Sequence, residues 1–248
     1  MVSPAAWQFP NAPGYPASSR RLRPGARLPQ QGITGQRAKE AVISTADVTP
    51  AYVDQFLPED DALIATRRNA AEVGGAAPVA TVTGGALRFI AAATGARSVV
   101  EIGTGCGTSG IWLLRGMRAG AVLTSVDVEP EHQRLARAAF LAAGFPASRY
   151  RLIGGLALEV LPRLADGAYD LVFCDADPQE GPDYLAAALR LLRPGGIVAF
   201  DDALGSEHGP DDSAVASELR ELVRADDRLV PLLLPIGNGL LTAVKRED

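Results

Sequence analysis

Apolar residues along the chain fall into short, nearly continuous runs, separated by stretches in which they recur at helical spacing. The runs lie at Ser98–Ile102, 122–126, near 150–153, 171–174 and 197–200. Runs of this kind are expected of parallel strands covered on both faces, whereas strands with one wet face alternate apolar and polar residues. Between them, residues 111–118, 130–143, 157–164 and 183–192 have the length and period of crossover helices. Strands and helices in regular alternation predict an α/β fold with a doubly wound, mainly parallel sheet. The end of the chain breaks the alternation. There Leu229–Leu234 and Leu240–Lys245 flank Pro235-Ile236-Gly237-Asn238-Gly239, which predicts a C-terminal antiparallel hairpin and a seven-stranded sheet.

Ahead of the first run the pattern is helical. Residues 84–94 carry Leu87, Phe89 and Ile90 and stop at Gly95, and Pro58-Glu59-Asp60-Asp61 opens a helix through Leu63, Ile64 and Arg67. Thr49-Pro50 caps a further helix with Tyr52, Val53, Phe56 and Leu57. Residues 1–45 differ: Pro4, Pro10, Pro13, Pro16, Pro24 and Pro29 occur beside Arg20, Arg21, Arg23 and Arg27, with almost no apolar period. Such a segment buries too little surface to offset its ordering entropy, so a flexible extension is expected. Residues 46–248 then form one domain, with 46–94 as accessory helices. A chain of 248 residues has room for one sizeable α/β core and not for two.

Charge and cysteine usage narrow the partners. Lys and Arg total 24 against 29 Asp and Glu, and a net charge of -5 offers no attraction to nucleic acid or to an anionic membrane. A small molecule is the expected ligand. Cys106 and Cys174 sit in strand-and-turn segments rather than in a spaced framework, which predicts reduced thiols, no zinc site and a cytoplasmic location. No run of 18 apolar residues and no basic leader followed by an apolar stretch occurs, so neither a membrane span nor a signal peptide is expected.

The candidate chemistry concentrates at Val99-Val100-Glu101-Ile102-Gly103-Thr104-Gly105-Cys106-Gly107-Thr108-Ser109-Gly110. An apolar strand ends in an acid, breaks into alternating glycines and resumes as a helix, a design that brings a polar ligand against bare backbone N–H groups. Residues 105–110 also match the dinucleotide fingerprint G-x-G-x-x-G, which keeps a nicotinamide-dependent oxidoreductase open. Against it, Glu101 stands where a cationic amino group would be received and a pyrophosphate repelled, and no Tyr-Lys or His-based hydride apparatus is found. Asp127 ends the second strand, where an acid accepts hydrogen bonds from both hydroxyls of a ribose.

Four segments carry a resemblance. Glu101-Ile102-Gly103-Thr104-Gly105-Cys106-Gly107-Thr108-Ser109, Val126-Asp127-Val128-Glu129-Pro130, 170–177 (Asp-Leu-Val-Phe-Cys-Asp-Ala-Asp) and 192–202 (Leu-Arg-Pro-Gly-Gly-Ile-Val-Ala-Phe-Asp-Asp) resemble the successive motifs of the S-adenosylmethionine-dependent O-methyltransferases of the catechol and caffeoyl-CoA type. The likeness covers most of residues 75–248, in order and at the family's spacing. It implies a class I, Rossmann-like methyltransferase acting on a phenolic or catecholic hydroxyl of a small molecule, and a homodimer.

The resemblance also implies residue roles. Glu101, Gly103, Gly105 and Ser109 would hold the methionine end of S-adenosylmethionine, and Thr104 and Asp175 would also contact the cofactor. Asp127 would hold the ribose, the backbone at Ala157 and Leu158 the adenine edge, and Val82 would line the same pocket. A divalent cation, usually magnesium, would fall on Asp175, Asp201 and Asp202, the last being Asp where the family has Asn. Three carboxylates at adjacent strand ends suit a hard cation and repel one another without it. Where bacterial members carry a Lys that helps deprotonate the acceptor, this chain has Pro178. The proton must then go to Asp202, Asp175, His208 or a metal-activated hydroxyl. The missing Lys keeps a catalytically silent cofactor-binding protein open as the alternative. His132 is expected on the solvated surface and Trp112 in the core.

Overall fold

In the computed structural model, which describes residues 52, 56–205 and 210–247, the apolar runs are strands. They are β1 (Ser98–Ile102), β2 (Val122–Asp127), β3 (Tyr150–Gly154), β4 (Tyr169–Cys174), β5 (Leu192–Phe200), β6 (Leu229–Leu234) and β7 (Leu240–Lys245). One sheet holds them in the order β3-β2-β1-β4-β5-β7-β6. The first five are parallel, and β7 runs antiparallel between β5 and β6. The helices are α1 (Asp61–Val73), α2 (Thr81–Ala93), α3 (Thr108–Gly116), α4 (Pro130–Ala142), α5 (Ala157–Val160), α6 (Gly181–Leu191) and α7 (Pro210–Ala225). The extension expected at 1–45, the Thr49-Pro50 cap and Val53 lie outside the described residues.

Three elements differ from the sequence pattern. β5 begins at Leu192, because Tyr169 pairs with Leu192 and Leu171 next pairs with Ile197; the residues between them, with Pro194, form an irregularity in the ladder. The helix expected over 157–164 is α5 followed by a 3₁₀ turn at Leu161–Arg163, since Pro162 has no N–H to continue it. α7, which the apolar pattern did not single out, buries Ala216, Leu219 and Val223 against the sheet.

Period-2 pleating sends alternate residues to opposite layers. Val100, Ile102, Val172, Cys174 and Val198 meet α5, α6 and α7 on one face. Val99, Leu123, Leu171 and Phe173 meet α1 to α4 on the other. Trp112, 2% exposed, anchors that second layer. It packs so closely on α2 that a Cβ built on Gly84 would lie 2.3 Å from its ring.

Gly84→Ala is expected to lower stability. Overpacking costs about 1–3 kcal/mol, and contact with a rigid, enclosed indole falls toward the upper end, outweighing the roughly 1 kcal/mol that Ala returns in a helix. Urea denaturation would record a lower midpoint at unchanged slope.

Candidate functional site

Strand order reverses between β1 and β4, and a crevice opens at the carboxyl ends of the strands on either side of such a switch. Gly103 is the contact point. A Cβ there would sit 1.9 Å from the carbonyl oxygen of Asp175, and φ is 91°, so only glycine lets β1 leave the sheet beneath β4. The Gly103 N–H donates to the Val126 carbonyl (2.9 Å) and the Asp175 N–H to the Ile102 carbonyl (2.8 Å). Asp127 ties the turn down: its Oδ2 accepts the N–H groups of Thr104 (2.9 Å) and Gly105 (2.8 Å), and its Oδ1 that of Glu129 (2.8 Å). Three of about four acceptor positions are thereby used. One remains for a ligand hydroxyl, rather than the two that a ribose diol held directly would take.

Over this turn lies a cavity of about 640 Å³. Of the residues predicted to hold the cofactor, Gly103, Thr104, Gly105, Ser109, Asp127, Ala157 and Asp175 line it. Val82 does not; Val79, just ahead of α2, does. Glu101 does not line it either. The pleat gives Glu101 the same face as Val99, so its side chain runs beneath α3, fully buried, with Oε2 3.3 Å from where a Gly110 Cβ would be. The Ser125 hydroxyl donates to Oε2 at 2.6 Å and Oε1 has no hydrogen-bond partner. Burial pushes the Glu101 carboxyl up to about 7, against the lowering hydrogen bonds of Ser125 and Ser109.

A second cavity, about 80 Å³, adjoins the first. Asp175, Ala176, Asp177, Pro178, Tyr184 and Asp202 line both. Asp201 lines only the smaller one, and its buried Oδ1 has no hydrogen-bond partner. Burial first, then the charges of Asp201, Asp202 and Glu101, raise the Asp175 carboxyl well above the usual range. Burial and the Asp202 charge push Asp201 up to about 7.

These acids do not form the expected metal centre. Among the described residues no three His, Cys, Asp or Glu side chains are grouped so as to hold an ion. Asp201 Oδ1 lies beside Gly237 of the β6–β7 loop, 4.0 Å from where its Cβ would be, and Asp202 takes a left-handed φ of 54°. The charges of Asp201 and Asp202 nonetheless reach the Asp175 carboxyl. His208 lies outside the described residues.

Two features escaped the sequence pattern. The Tyr184 hydroxyl donates to Glu180 Oε2 (2.5 Å), and both residues line the larger cavity. Their spacing of one helical turn is the sole local signal. His132, expected in solvent, is 8% exposed and lines the larger cavity, because the chain after α1 folds over it.

Residues 54–246 match a protein-family model described as O-methyltransferase. A curated relative from Mycobacterium sp. (strain JLS), provisionally named an O-methyltransferase, is 48% identical over 208 residues, covering 82% of this chain and 94% of its own. Among solved structures, cofactor-bound Rv0187 from MTB is 33% identical with a TM-score of 0.72, covering 81% of this chain and 99% of that one. The O-methyltransferase from Bacillus cereus in complex with SAH is 28% identical with a TM-score of 0.71, covering 79% and 96%.

The buried Glu101 carboxyl generates a pH test. Folding raises it from the usual 4.5 to about 7, so the folded chain holds the proton more tightly. Its contribution to stability is full below pH 4.5 and is lost as the pH rises through about 7. Glu101→Gln keeps the neutral shape, so urea midpoints at pH 5 and pH 8 should differ less for the variant than for the parent. Asp201, shifted over the same window, leaves the variant a residual slope.

Proposed function

The chain belongs to the O-methyltransferase family, and we propose that it transfers the methyl group of S-adenosylmethionine to the hydroxyl of a small phenolic or catecholic acceptor. The observation that carries this is the pair of adjoining cavities at the strand switch, the larger over the glycine turn and Asp127, the smaller sharing a wall with it. A cavity of about 640 Å³ falls in the usual range for a nucleoside-sized ligand. In this reading Asp127 accepts one ribose hydroxyl, the backbone at Ala157 borders the adenine, and Gly103, Thr104, Gly105 and Ser109 surround the methionine end. The similarity to a Bacillus cereus enzyme solved with SAH supports the same use of the crevice.

When bound, S-adenosylmethionine supplies an electrophilic methyl on a sulfonium. The chain's own contribution is mostly placement. Phe200, Val215, Ala216 and Leu219 give the smaller cavity an apolar wall suited to an aromatic ring. The wall common to both cavities is where acceptor oxygen, methyl carbon and sulfur would be aligned. Charge is lost as the sulfonium becomes a thioether, and a water-poor crevice favours that loss.

Asp202, exposed and lining both cavities, takes the acceptor's proton. Asp175, whose carboxyl is raised well above the usual range by burial and its acidic neighbours, borders the same wall. No step passes through a cation, because the acids do not gather to hold one.

Val230 and Leu232, 47% and 54% exposed on the edge strand β6, favour a homodimer. The two free, buried cysteines fit a cytoplasmic setting. No helix among the described residues is long and apolar enough to cross a membrane.

Two measurements test the proposal. Isothermal titration with S-adenosylhomocysteine should give binding that Asp127→Ala weakens at least tenfold, about 1.4 kcal/mol; unchanged affinity would overturn the assignment. Labelled S-adenosylmethionine with a panel of catechols should give transfer that survives EDTA. Binding without transfer to any acceptor favours the silent reading that Pro178 invites.

A further inference from the structure

His132 lies on the first turn of α4, immediately after the acid that closes β2. Its ring is enclosed between two partners. Nε2 is 3.3 Å from the carbonyl oxygen of Gly74, and since a carbonyl only accepts, that nitrogen carries a proton. Nδ1 faces the Asp127 carboxylate, 3.7 Å from Oδ1, an ion-pair contact that belongs to the imidazolium, in which both ring nitrogens carry protons.

Gly74 ends α1 and begins the connection 74–79, which runs over the larger cavity to α2. Ala76 crosses the glycine turn, its Cβ 3.8 Å from where a Gly105 Cβ would be. The connection is loosely built. Gly74 and Gly75 both have φ of 69° with no atom within 4 Å of where a Cβ would stand, so little packing holds them. Its far end is fastened by Arg67 Nη2, which donates to the Val79 carbonyl (2.9 Å) and is itself held by Glu59. Among the described residues, His132 is the one side chain that hydrogen-bonds within 74–78.

We propose that His132 is a positioning residue for the methyl donor: it braces the 74–79 strap against the Asp127 carboxylate and so sets the shape of the donor cavity. The proposal rests on the reading that S-adenosylmethionine occupies this cavity. An imidazolium suits the task because its two N–H groups point in different directions and reach acceptors on separate elements. Without it, the Gly-Gly segment regains conformational freedom that ligand binding must then remove, and one flank of Asp127 is left to solvent.

The test compares the full chain with His132→Phe, which keeps a flat ring without donors, and His132→Gln, which keeps a donor. Calorimetry with S-adenosylhomocysteine should show about tenfold weaker binding for the Phe variant and partial recovery for Gln. Hydrogen–deuterium exchange without ligand should rise over 74–79 in the Phe variant, with the sheet unchanged. Equal exchange over 74–79 in parent and Phe variant overturns the brace. Faster exchange with unaltered affinity overturns its role in donor positioning. Should the parent not bind S-adenosylhomocysteine, the proposed function fails, while the exchange comparison still decides whether the brace exists. If the Phe variant does not fold, Gln with faster exchange over 74–79 and weaker binding supports the brace, and Gln matching the parent in both overturns it.

Discussion

One carboxylate holds the mouth of the crevice together. Asp127 accepts the N–H groups of Thr104 and Gly105 from the turn after β1 and that of Glu129 at the start of α4. A charged acceptor satisfying backbone donors is stronger than a neutral one, and here it joins two adjacent parallel strands just where their backbones leave the sheet. The turn's geometry therefore depends on a residue more than twenty positions away. With three acceptor positions already used, Asp127 is also an oriented group, and orientation is what a ligand-binding acid requires.

Around that carboxylate the structure accumulates acids in poorly solvated positions. Glu101 lies under α3, Asp175 borders both cavities, and Asp201 has a buried oxygen without a partner. All three are raised in pKa, chiefly by burial and then, for Asp175, by the charges of Asp201, Asp202 and Glu101 and, for Asp201, by that of Asp202. Such groups cost stability when ionised. They concentrate where a positively charged ligand would recover some of that cost, consistent with clustering of perturbed acids at functional sites. A sulfonium is a ligand of that kind, and family membership makes it the natural one to propose.

The departures from the family's motifs have a structural counterpart. Where a Lys would stand, Pro178 opens a short 3₁₀ turn that Asp177 caps, and Tyr184 reaches back one turn to Glu180. Where the third metal ligand would stand, Asp202 has left the extended conformation. The shared wall of the two cavities is thus acidic and aromatic, without the Lys and without a gathered set of ligands.

Much of this was legible in one dimension. β1, β6 and β7 fall on their expected bounds, and β2, β3 and β4 within two residues, because continuous apolar runs and turn chemistry act over a few neighbours. The glycine turn and the acid closing β2 could be read for the same reason: strand, loop and helix start are contiguous in sequence. Other features depended on parts far apart. Pleat parity turned Glu101 under a helix, Val79 rather than Val82 came to line the cavity, and Asp175, Asp201 and Asp202 were not grouped to hold an ion. His132 meets a carbonyl 58 residues earlier in the chain. Local pattern determines which residues become strands and turns, since those choices are made by adjacent side chains and φ/ψ preferences. Which side chain faces the crevice is decided when distant elements pack, and that no window of sequence contains.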